Sequence, residues 1–282
     1  MKTVSIESAG ITDVGKKRRN NEDALFVDDE LGLYVVADGM GGHNAGEVAS
    51  KLVVDSIRDY MRQAGIDEDT GDRQTQDDTL STKANRVRAG IEFANKVVHE
   101  VANSQETYQG MGSTVSILFF GSRTLVAANV GDSPIYLIHN KKIELLSIPH
   151  TVMAEQMAID PESAAELGSE YHHMLTRAMG AADTVTANIC EIPYFKGDVL
   201  VIGSDGLTDL VTLEETLKIV TEASPEAACR RLVDLANDRG GVDNITVIVV
   251  RLNKSRGGNG NIKTIISRFV AGILHKTIKS NT

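Results

Sequence analysis

Seven short apolar runs, each closed by turn residues, constrain the fold of this chain more than any other feature of its sequence. Runs rich in Val, Ile and Leu and bounded by Gly, Asp, Asn or Ser are typical of β-strands. The links at 121–122 and 139–142 are too short for a crossover, so the strands on either side of each link are expected to pair antiparallel. The predicted strands cover residues 31–38, 113–121, 123–133, 134–138, 142–148, 197–206 and 244–252.

Helical periodicity occupies other parts of the chain. Apolar residues recur three and four apart over residues 46–63, 83–103 and 225–239, as they do on the buried face of an amphipathic helix. Thr212 with Glu215 has the form of a capping box, and a serine at 224 precedes a proline at a first-turn position. Helices segregated from hairpin-linked strands predict an α+β fold in which antiparallel sheets pack together with helices outside them.

The composition limits the possible partners and compartments. The 282 residues include 39 acidic and 29 basic side chains, a formal net charge of −10, so nucleic acid is not an expected partner. Cys190 and Cys229 are too few for a disulfide scaffold, and the N-terminal residues lack the apolar core of a signal peptide. No run reaches the roughly 18 apolar residues of a membrane span. A cytoplasmic protein is therefore expected.

Four aspartates lie at the ends of predicted strands: Asp38, Asp132, Asp205 and Asp243. Any one of them could be a turn or cap residue that bonds to nearby backbone N–H groups. If the strand ends meet at one edge, the carboxylates would repel one another unless a cation neutralised them. Hard oxygen ligands suit Mg²⁺ or Mn²⁺. Gly39, which follows the first of these aspartates, has no Cβ and could turn its carbonyl towards the same ion.

A second charged cluster lies upstream, where Arg18 precedes Glu22 and Asp23. A charged turn is the simple interpretation, and it is kept for the neighbouring basic residues 16, 17 and 19. The planar guanidinium of Arg18 is suited to hold a phosphate, and the two acids could order water around a metal pair.

Seven ordered segments within residues 8–250 resemble the type 2C family of metal-dependent serine/threonine protein phosphatases, in particular its compact bacterial members. The resemblance implies a four-layer αββα sandwich, with two central antiparallel β-sheets flanked by helix pairs. It implies a catalytic domain at 1–252 that contains a flap at about 149–174, followed by a tail at 253–282. The segments are DVGKKRRNNED, VVADGMGGHNAGEVAS, GMGSTVSILF, ANVGDSPIYLI, LTRAMG, DVLVIGSDGLTD and GGVDNITVIVV.

The resemblance also implies a set of metal ligands for two Mn²⁺ or Mg²⁺ ions. By this similarity Asp38 bridges the two ions and the carbonyl of Gly39 binds one of them. Asp205 and Asp243 would bind the other ion. Asp132 would help to bind a third, weaker ion.

For the chemistry, the resemblance implies hydrolysis of phosphoserine and phosphothreonine by direct attack of a water or hydroxide shared by two ions. Glu22 and Asp23 would hold metal-bound waters, and Arg18 would bind the substrate phosphate. His43 is the best candidate to protonate the leaving alkoxide, because imidazole changes charge near neutral pH. A loop histidine without a catalytic role is the competing interpretation of His43.

Two positions depart from the family pattern, and three histidines have no evident site. Pro134 stands where the family usually has arginine, and Pro149 stands where an aspartate commonly precedes a histidine. Both are expected near the surface that meets substrate. Surface or packing roles are expected for the histidines at 150, 172 and 173, because no carboxylate at ligand spacing accompanies them.

The tail differs in character from the rest of the chain. A glycine-rich linker at 253–261 precedes apolar residues at helical spacing with basic residues around them. A helix docked on the catalytic domain, a helix for a protein partner and adsorption to an anionic membrane surface all fit this pattern.

The expected partners are phosphorylated proteins and a cognate serine/threonine kinase, with the chain a monomer. Two other functions remain open at this point: a phosphatase-like regulatory or phosphoprotein-binding module with little activity, and a different metallo-hydrolase such as a phosphodiesterase.

Overall fold

The computed structural model describes residues 5–42, 45–63, 77–121 and 124–253. His43 and residues 254–282 of the predicted tail lie outside these ranges. The eleven strands of the described part are β1 (Ile6–Asp13), β2 (Asp23–Asp28), β3 (Leu33–Met40), β4 (Gly112–Ser113), β5 (Val115–Phe120), β6 (Thr124–Val130), β7 (Ile135–His139), β8 (Lys142–Leu145), β9 (Asn188–Pro193), β10 (Val199–Gly203) and β11 (Ile245–Leu252).

The predicted helices are present, with ends within two residues of the expected ones. The capping box of Thr212 and Glu215 forms, and Ser224 caps the helix that follows it. No helix of the described ranges combines the length and apolar composition that crossing a membrane would need. The α-helices are α1 (Ala45–Gln63), α2 (Thr82–Ser104), α3 (Val152–Ile159), α4 (Pro161–Ala164), α5 (Asp205–Thr208), α6 (Leu213–Glu222) and α7 (Pro225–Asp238), and 3-10 turns lie at Glu106–Tyr108 and Ser169–His172.

The strands form two antiparallel sheets, as predicted. One sheet has the order β1-β11-β10-β7-β8, and the other has the order β2-β3-β5-β6-β9, with β4 paired to β3. Both predicted hairpins pair antiparallel, β5 with β6 and β7 with β8. The tight turn of the second hairpin places Asn140 and Lys141 at φ of 50° and 62°, the left-handed conformation that two-residue hairpin turns require.

Three apolar layers hold four layers of secondary structure together. The middle layer fills the space between the sheets and includes Tyr34, Leu118 and Ile248. A second layer packs α1 and α2 on the sheet that contains β3, and a third packs α6 and α7 on the sheet that contains β10. The predicted αββα sandwich is confirmed, with the apolar residues of the strands divided between the two faces of each sheet.

Three strands escape the sequence prediction. The strands β1 and β2 mix polar and apolar residues and are mostly half-buried, and β9 lies at the edge of its sheet. A strand with only one face packed against the core alternates apolar and polar residues, so its sequence contains no continuous apolar run that would identify it. The strand β2 matters for the site because it pairs with β3 in a register that puts Asp23 directly opposite Asp38.

Candidate active site

A pocket of about 470 Å³ opens where ends of strands from both sheets meet. Its lining contains every predicted site residue of the described ranges except Asp23. Five separate chain segments therefore bring their acids to one place: the segment after β1, the end of β3, the segments that follow β6 and β10, and the segment that precedes β11.

Asp38 is held at the floor of the pocket by the backbone and side chain of Thr114. The N–H of Asp38 donates to Thr114 Oγ1 at 3.0 Å, and the N–H of Thr114 donates to the Asp38 carbonyl at 2.8 Å. Ser113 Oγ donates to the same carbonyl at 3.0 Å. These bonds fix the main chain at Asp38 and leave its carboxyl group to face the pocket.

Asp23 lies behind the pocket wall and joins the two sheets. Its side chain is buried, and its Oδ2 accepts from Ser204 Oγ at 2.8 Å. Its Oδ1 has no hydrogen-bond partner among the described residues. Burial raises the pKa of Asp23 to about 6, although the hydrogen bonds to its carboxyl group act to lower that pKa. Two aspartates opposite each other across a strand pair are destabilising on their own.

Among the described residues, five carboxyl groups and two arginines line the pocket. Burial, followed by Asp23 and Asp205, raises the pKa of Asp38 well above its usual value. Burial, followed by Asp243, raises that of Asp205, and burial raises the pKa of Asp132 to about 6. A set of close oxygen donors with raised pKa values fits divalent ions such as Mn²⁺ or Mg²⁺, which would stabilise the charged forms.

Arg18 reaches the same pocket from the segment after β1. Its Nη2 donates to Asp243 Oδ2 at 2.7 Å, and half of its side chain is exposed. The hydrogen bond with Asp243 raises the pKa of the guanidinium. The arrangement places a permanent positive charge at the pocket mouth, where a phosphate group can meet it.

Asn244 anchors the segment that carries Arg18. Its Nδ2 donates to the carbonyls of Val14 and Asn20, each at 3.0 Å, and its Oδ1 accepts from the N–H of Glu22 at 2.7 Å. The sequence analysis did not single out this residue. Its position directly after Asp243 was the one available signal.

Gly39 is required for close packing of three backbone segments. Its N–H donates to the Glu22 carbonyl at 3.0 Å, and a Cβ would collide with the carbonyls of Gly46 and Glu22. Burial raises the pKa of the Glu22 carboxyl group, which accepts from the N–H of Gly46 in the first turn of α1. The absence of a side chain at Gly39 thus lets the start of α1 approach the strand end that carries Asp38.

His173 is exposed, in keeping with the expected surface role, and its side chain also lines the pocket. Its Nδ1 is 3.9 Å from Asp205 Oδ2, and its Nε2 is 3.6 Å from Asp209 Oδ2. One donor atom each from Asp132, His173 and Asp205 can be chosen so that all lie within 4.8 Å of one another. The carboxylates that accompany this histidine are about 30 and more residues away in the chain, so local spacing gave no signal.

His150 has the predicted packing role. It is completely buried, its Nδ1 accepts from the N–H of Gly131 at 3.1 Å, and its Nε2 lies 2.9 Å from Asn188 Nδ2. Burial and the charge of Arg177 lower the pKa of His150 to about 4. Pro134 is buried and does not itself line the pocket, although Asp132, two residues before it, does.

Comparison with known proteins gives one consistent result. A family model described as "Protein phosphatase 2C" matches residues 15–236. Protein phosphatase PhpP of Streptococcus pneumoniae is 32% identical over 258 residues, which are 88% of this chain and 98% of that protein.

Solved structures agree with the sequence match. The serine/threonine phosphatase PstP/Ppp of Mycobacterium tuberculosis aligns with a TM-score of 0.76 at 27% identity, covering 89% of this chain and 100% of that one. The catalytic domain of PstP in complex with two manganese ions aligns with a TM-score of 0.74 at 27% identity and the same coverage.

Proposed function

Because this chain belongs to the protein phosphatase 2C family, we propose that it is a metal-dependent phosphatase acting on phosphoserine and phosphothreonine side chains of proteins. The observation that carries the proposal is the convergence of Asp38, Asp205 and Asp243, from three distant segments, on one pocket. Their oxygens suit Mn²⁺ or Mg²⁺, and the PstP relative binds two manganese ions.

In the proposed site Asp38 would contribute to the binding of both ions, and the carbonyl of Gly39 would be a ligand of one of them. Asp205 and Asp243 would hold the other ion, and Asp132 would contribute to a weaker third. When bound, the ions would supply a water of near-neutral pKa as the nucleophile. No side chain needs to act as the nucleophile, so the nearby serines are free to serve as structural hydroxyls.

The residues around the ions position the substrate and its waters. Arg18 holds the phosphate oxygens, and its bond to Asp243 fixes the guanidinium in the pocket mouth. Glu22 and Asp23 order water, and Oδ1 of Asp23, which has no partner among the described residues, is an acceptor that such a water can use.

We assign proton donation to the leaving alkoxide to His43, which lies outside the described residues. The support is its imidazole chemistry and its place five residues after Asp38. With His43→Ala, turnover of an alkyl phosphate should fall far more than turnover of an aryl phosphate with a good leaving group. An equal fall for both substrates would remove this assignment.

Release of phosphate from a phosphothreonine peptide with added Mn²⁺ tests the main proposal. We expect turnover by the unaltered chain, and loss of turnover after chelation or with Asp38→Asn. Activity that survived both changes would contradict the metal-dependent mechanism. A phosphodiester run in parallel should not be cleaved, and its cleavage would favour a different metallo-hydrolase.

Binding of the phosphopeptide without turnover would favour the alternative function, a regulatory phosphoprotein-binding module with little activity. Every implied ligand position is occupied by the expected residue type, which supports an active enzyme over this alternative.

We extend the proposal to the setting of the protein. It would act in the cytoplasm as a monomer, opposite a cognate serine/threonine kinase and away from nucleic acid, and its two free cysteines fit a reducing compartment. The catalytic domain would span 1–252 with its flap at 149–174. The tail at 253–282 would bind the domain, a protein partner or a membrane surface.

A further inference from the structure

The flap helix α3 is apolar, and the fold does not bury it. Six of its eight residues are Val, Met, Ala or Ile, and none of the eight is buried, whereas α1, α2 and α7 bury eight, nine and six residues. Met157 and Ile159 in α3 are 48% and 78% exposed. Met174, whose carbonyl accepts from the N–H of Val152 at the start of α3, is 47% exposed. Exposed apolar surface of this kind is typical of an interaction site.

The concentration of exposed apolar side chains distinguishes the flap from the rest of the described surface. Of the seven large apolar side chains that are exposed in the described ranges, three are in the flap. The other four lie apart in the chain, in α2, β8, α6 and the segment before β11: Phe93, Leu145, Leu213 and Val242. Single exposed apolar residues are ordinary, so the flap is the surface where an occupant is expected.

The flap is also acidic. Residues 149–174 include five Asp or Glu and no Lys or Arg. Glu162 and Glu166 are exposed, and Glu155 forms an ion pair with Arg177 at 3.3 Å. A binding partner that complements this surface must combine apolar side chains with positive charge.

The tail of this chain has that combination. Residues 254–282, which lie outside the described ranges, contain six Lys or Arg and no acid. Ile262, Ile265 and Phe269 belong to its series of apolar residues at helical spacing. The formal charge of the whole chain is −10, so the residues before the tail carry −16. The tail is therefore attracted to acidic surface on its own catalytic domain.

The tail is also long enough to reach the flap. The described chain ends at Asn253, one residue after β11, at the end of that strand away from the pocket. The eight residues of β11 cover about 26 Å, at about 3.3 Å per residue. An extended linker of residues 254–261 spans up to about 28 Å, and residues 262–279 add about 27 Å even at the rise of an α-helix. Because the tail belongs to the same chain, its effective concentration at the flap is of millimolar order, so a weak contact is sufficient to hold it.

We propose that tail residues 262–279 bind the flap, with their apolar side chains against α3 and their basic side chains beside Glu162 and Glu166. Leu175, Thr176 and Arg177 directly follow the flap and line the pocket. A tail bound to the flap narrows the access of a phosphorylated protein to the pocket and leaves a small phosphate ester free to enter. This consequence rests on the proposed function, whereas the contact between tail and flap does not.

Zero-length cross-linking of the full chain with a carbodiimide, followed by mass spectrometry of its peptides, tests the contact. The reagent joins a carboxylate to a lysine amine that touches it. We expect links within single chains from Glu162 or Glu166 to the lysines of the tail. Ile159→Asp should remove these links, and it should leave the fold intact because the side chain of Ile159 is 78% exposed. Leu213→Asp, the same change at an exposed position of α6, is the matched control and should keep the links.

Three outcomes would overturn the proposal. Links confined to cross-linked dimers would assign the flap to a second copy of the chain. Equal loss of links in both variants would mean that α3 is not the docking surface. Absence of links, with sedimentation of the unaltered chain on vesicles that contain phosphatidylserine, would assign the tail to an anionic membrane surface.

Turnover of two substrates tests the consequence for the pocket. Compared with Leu213→Asp, Ile159→Asp should have a severalfold higher kcat/KM on a phosphorylated protein and the same kcat/KM on a small aryl phosphate. Equal values for the two variants on the phosphorylated protein would contradict the restriction of the pocket by the tail. The cross-links do not require turnover, so an inactive chain that forms them would count against the proposed function and not against this contact.

Discussion

The strand β10 has an aspartate just beyond each end, and the two carboxyl groups have opposite surroundings. Asp198 lies before the strand and is 2% exposed. Its Oδ1 accepts from His139 Nδ1 at 2.6 Å, and its Oδ2 accepts from the N–H of Phe195 at 2.8 Å. Burial raises the pKa of Asp198, and the bond to His139 opposes that shift.

Asp205 lies beyond the other end of β10. Its carboxyl group is surrounded by other acids, whereas that of Asp198 is hydrogen-bonded to a histidine and a backbone N–H. Burial and then the charge of Asp243 raise the pKa of Asp205, and Nδ1 of His173 lies 3.9 Å from Asp205 Oδ2. A carboxylate with a structural role has its partners supplied by the fold, whereas the fold concentrates like charges around Asp205. That concentration is destabilising until a cation arrives, and it is therefore a sign of a binding site.

Replacing each aspartate by asparagine should produce opposite effects, and this is the largest difference we predict. Asp205→Asn should lower kcat/KM on a phosphopeptide by more than about 100-fold, since loss of residues that merely support a ligand already reaches that range. It should leave the metal-free protein as stable or more stable, because a like charge is removed. Asp198→Asn should leave kcat/KM unchanged and reduce the free energy of unfolding by about 1–3 kcal/mol.

Phosphopeptide turnover with Mn²⁺ and urea unfolding in chelator measure the two sides of this comparison. Metal-free stability that fell equally in both variants would show that Asp205 is a structural carboxylate like Asp198.

The sequence predicted the parts of the molecule whose pattern is local. The strand β10 is a continuous apolar run because both of its faces are covered, so its ends, and with them Asp205, could be located. The half-buried β2 has no such run, so the pairing of Asp23 with Asp38 was not predicted.

The supporting groups of the site could not be found by local reasoning. Ser204 and Asp23 are separated by 181 residues, and Asn244 and Glu22 by 222. Such contacts depend on how two sheets are stacked, and strand periodicity says nothing about that. Similarity to a family supplied the ligand set but not these partners.

Asn244→Ala extends the comparison of structural and site residues. The side-chain amide of Asn244 is buried, and it supports the site by binding backbone groups of the segment that carries Arg18. Loss of its bonds to Val14, Asn20 and Glu22 should loosen the segment that carries Arg18 and lower kcat/KM by about 10–100-fold. Asn85, a buried asparagine that bonds backbone carbonyls at the start of α2, is the matched control. Asn85→Ala should reduce stability without the loss of turnover. Similar kcat/KM for both variants would contradict the positioning role of Asn244.

His150 extends the comparison to a buried imidazole. The fold supplies hydrogen-bond partners for both of its ring nitrogens and favours its neutral form. Its pKa of about 4 in the folded state lies below the ordinary 6.5 of the unfolded chain. The associated stability is therefore complete above pH 6.5 and is lost as the pH falls towards 4. Between pH 7.5 and pH 5 the loss is about 2 kcal/mol, from 1.36 kcal/mol per pKa unit.

Urea unfolding of the metal-free protein at these two pH values measures the effect. The unaltered chain should lose about 2 kcal/mol more than His150→Gln, which cannot titrate, while the acids common to both proteins cancel. Identical pH dependence in the two proteins would mean that His150 is not held neutral.

The smallest effect should come from Thr212, which satisfies a backbone amide at the start of α6 and does not line the pocket. Thr212 Oγ1 accepts from the N–H of Glu215 at 3.3 Å, and the Glu215 carboxylate accepts from the N–H of Thr212 at 3.1 Å. Thr212→Ala should reduce the free energy of unfolding by about 1 kcal/mol, as for other helix caps, whereas Thr212→Ser keeps the acceptor and should be nearly neutral. Neither variant should change kcat/KM, because only backbone groups of α6 gain or lose a partner. A loss of turnover in Thr212→Ala but not in Thr212→Ser would show that the site depends on the ordering of α6. Hydrogen-bonded groups outside the pocket would then contribute to function as well as to stability.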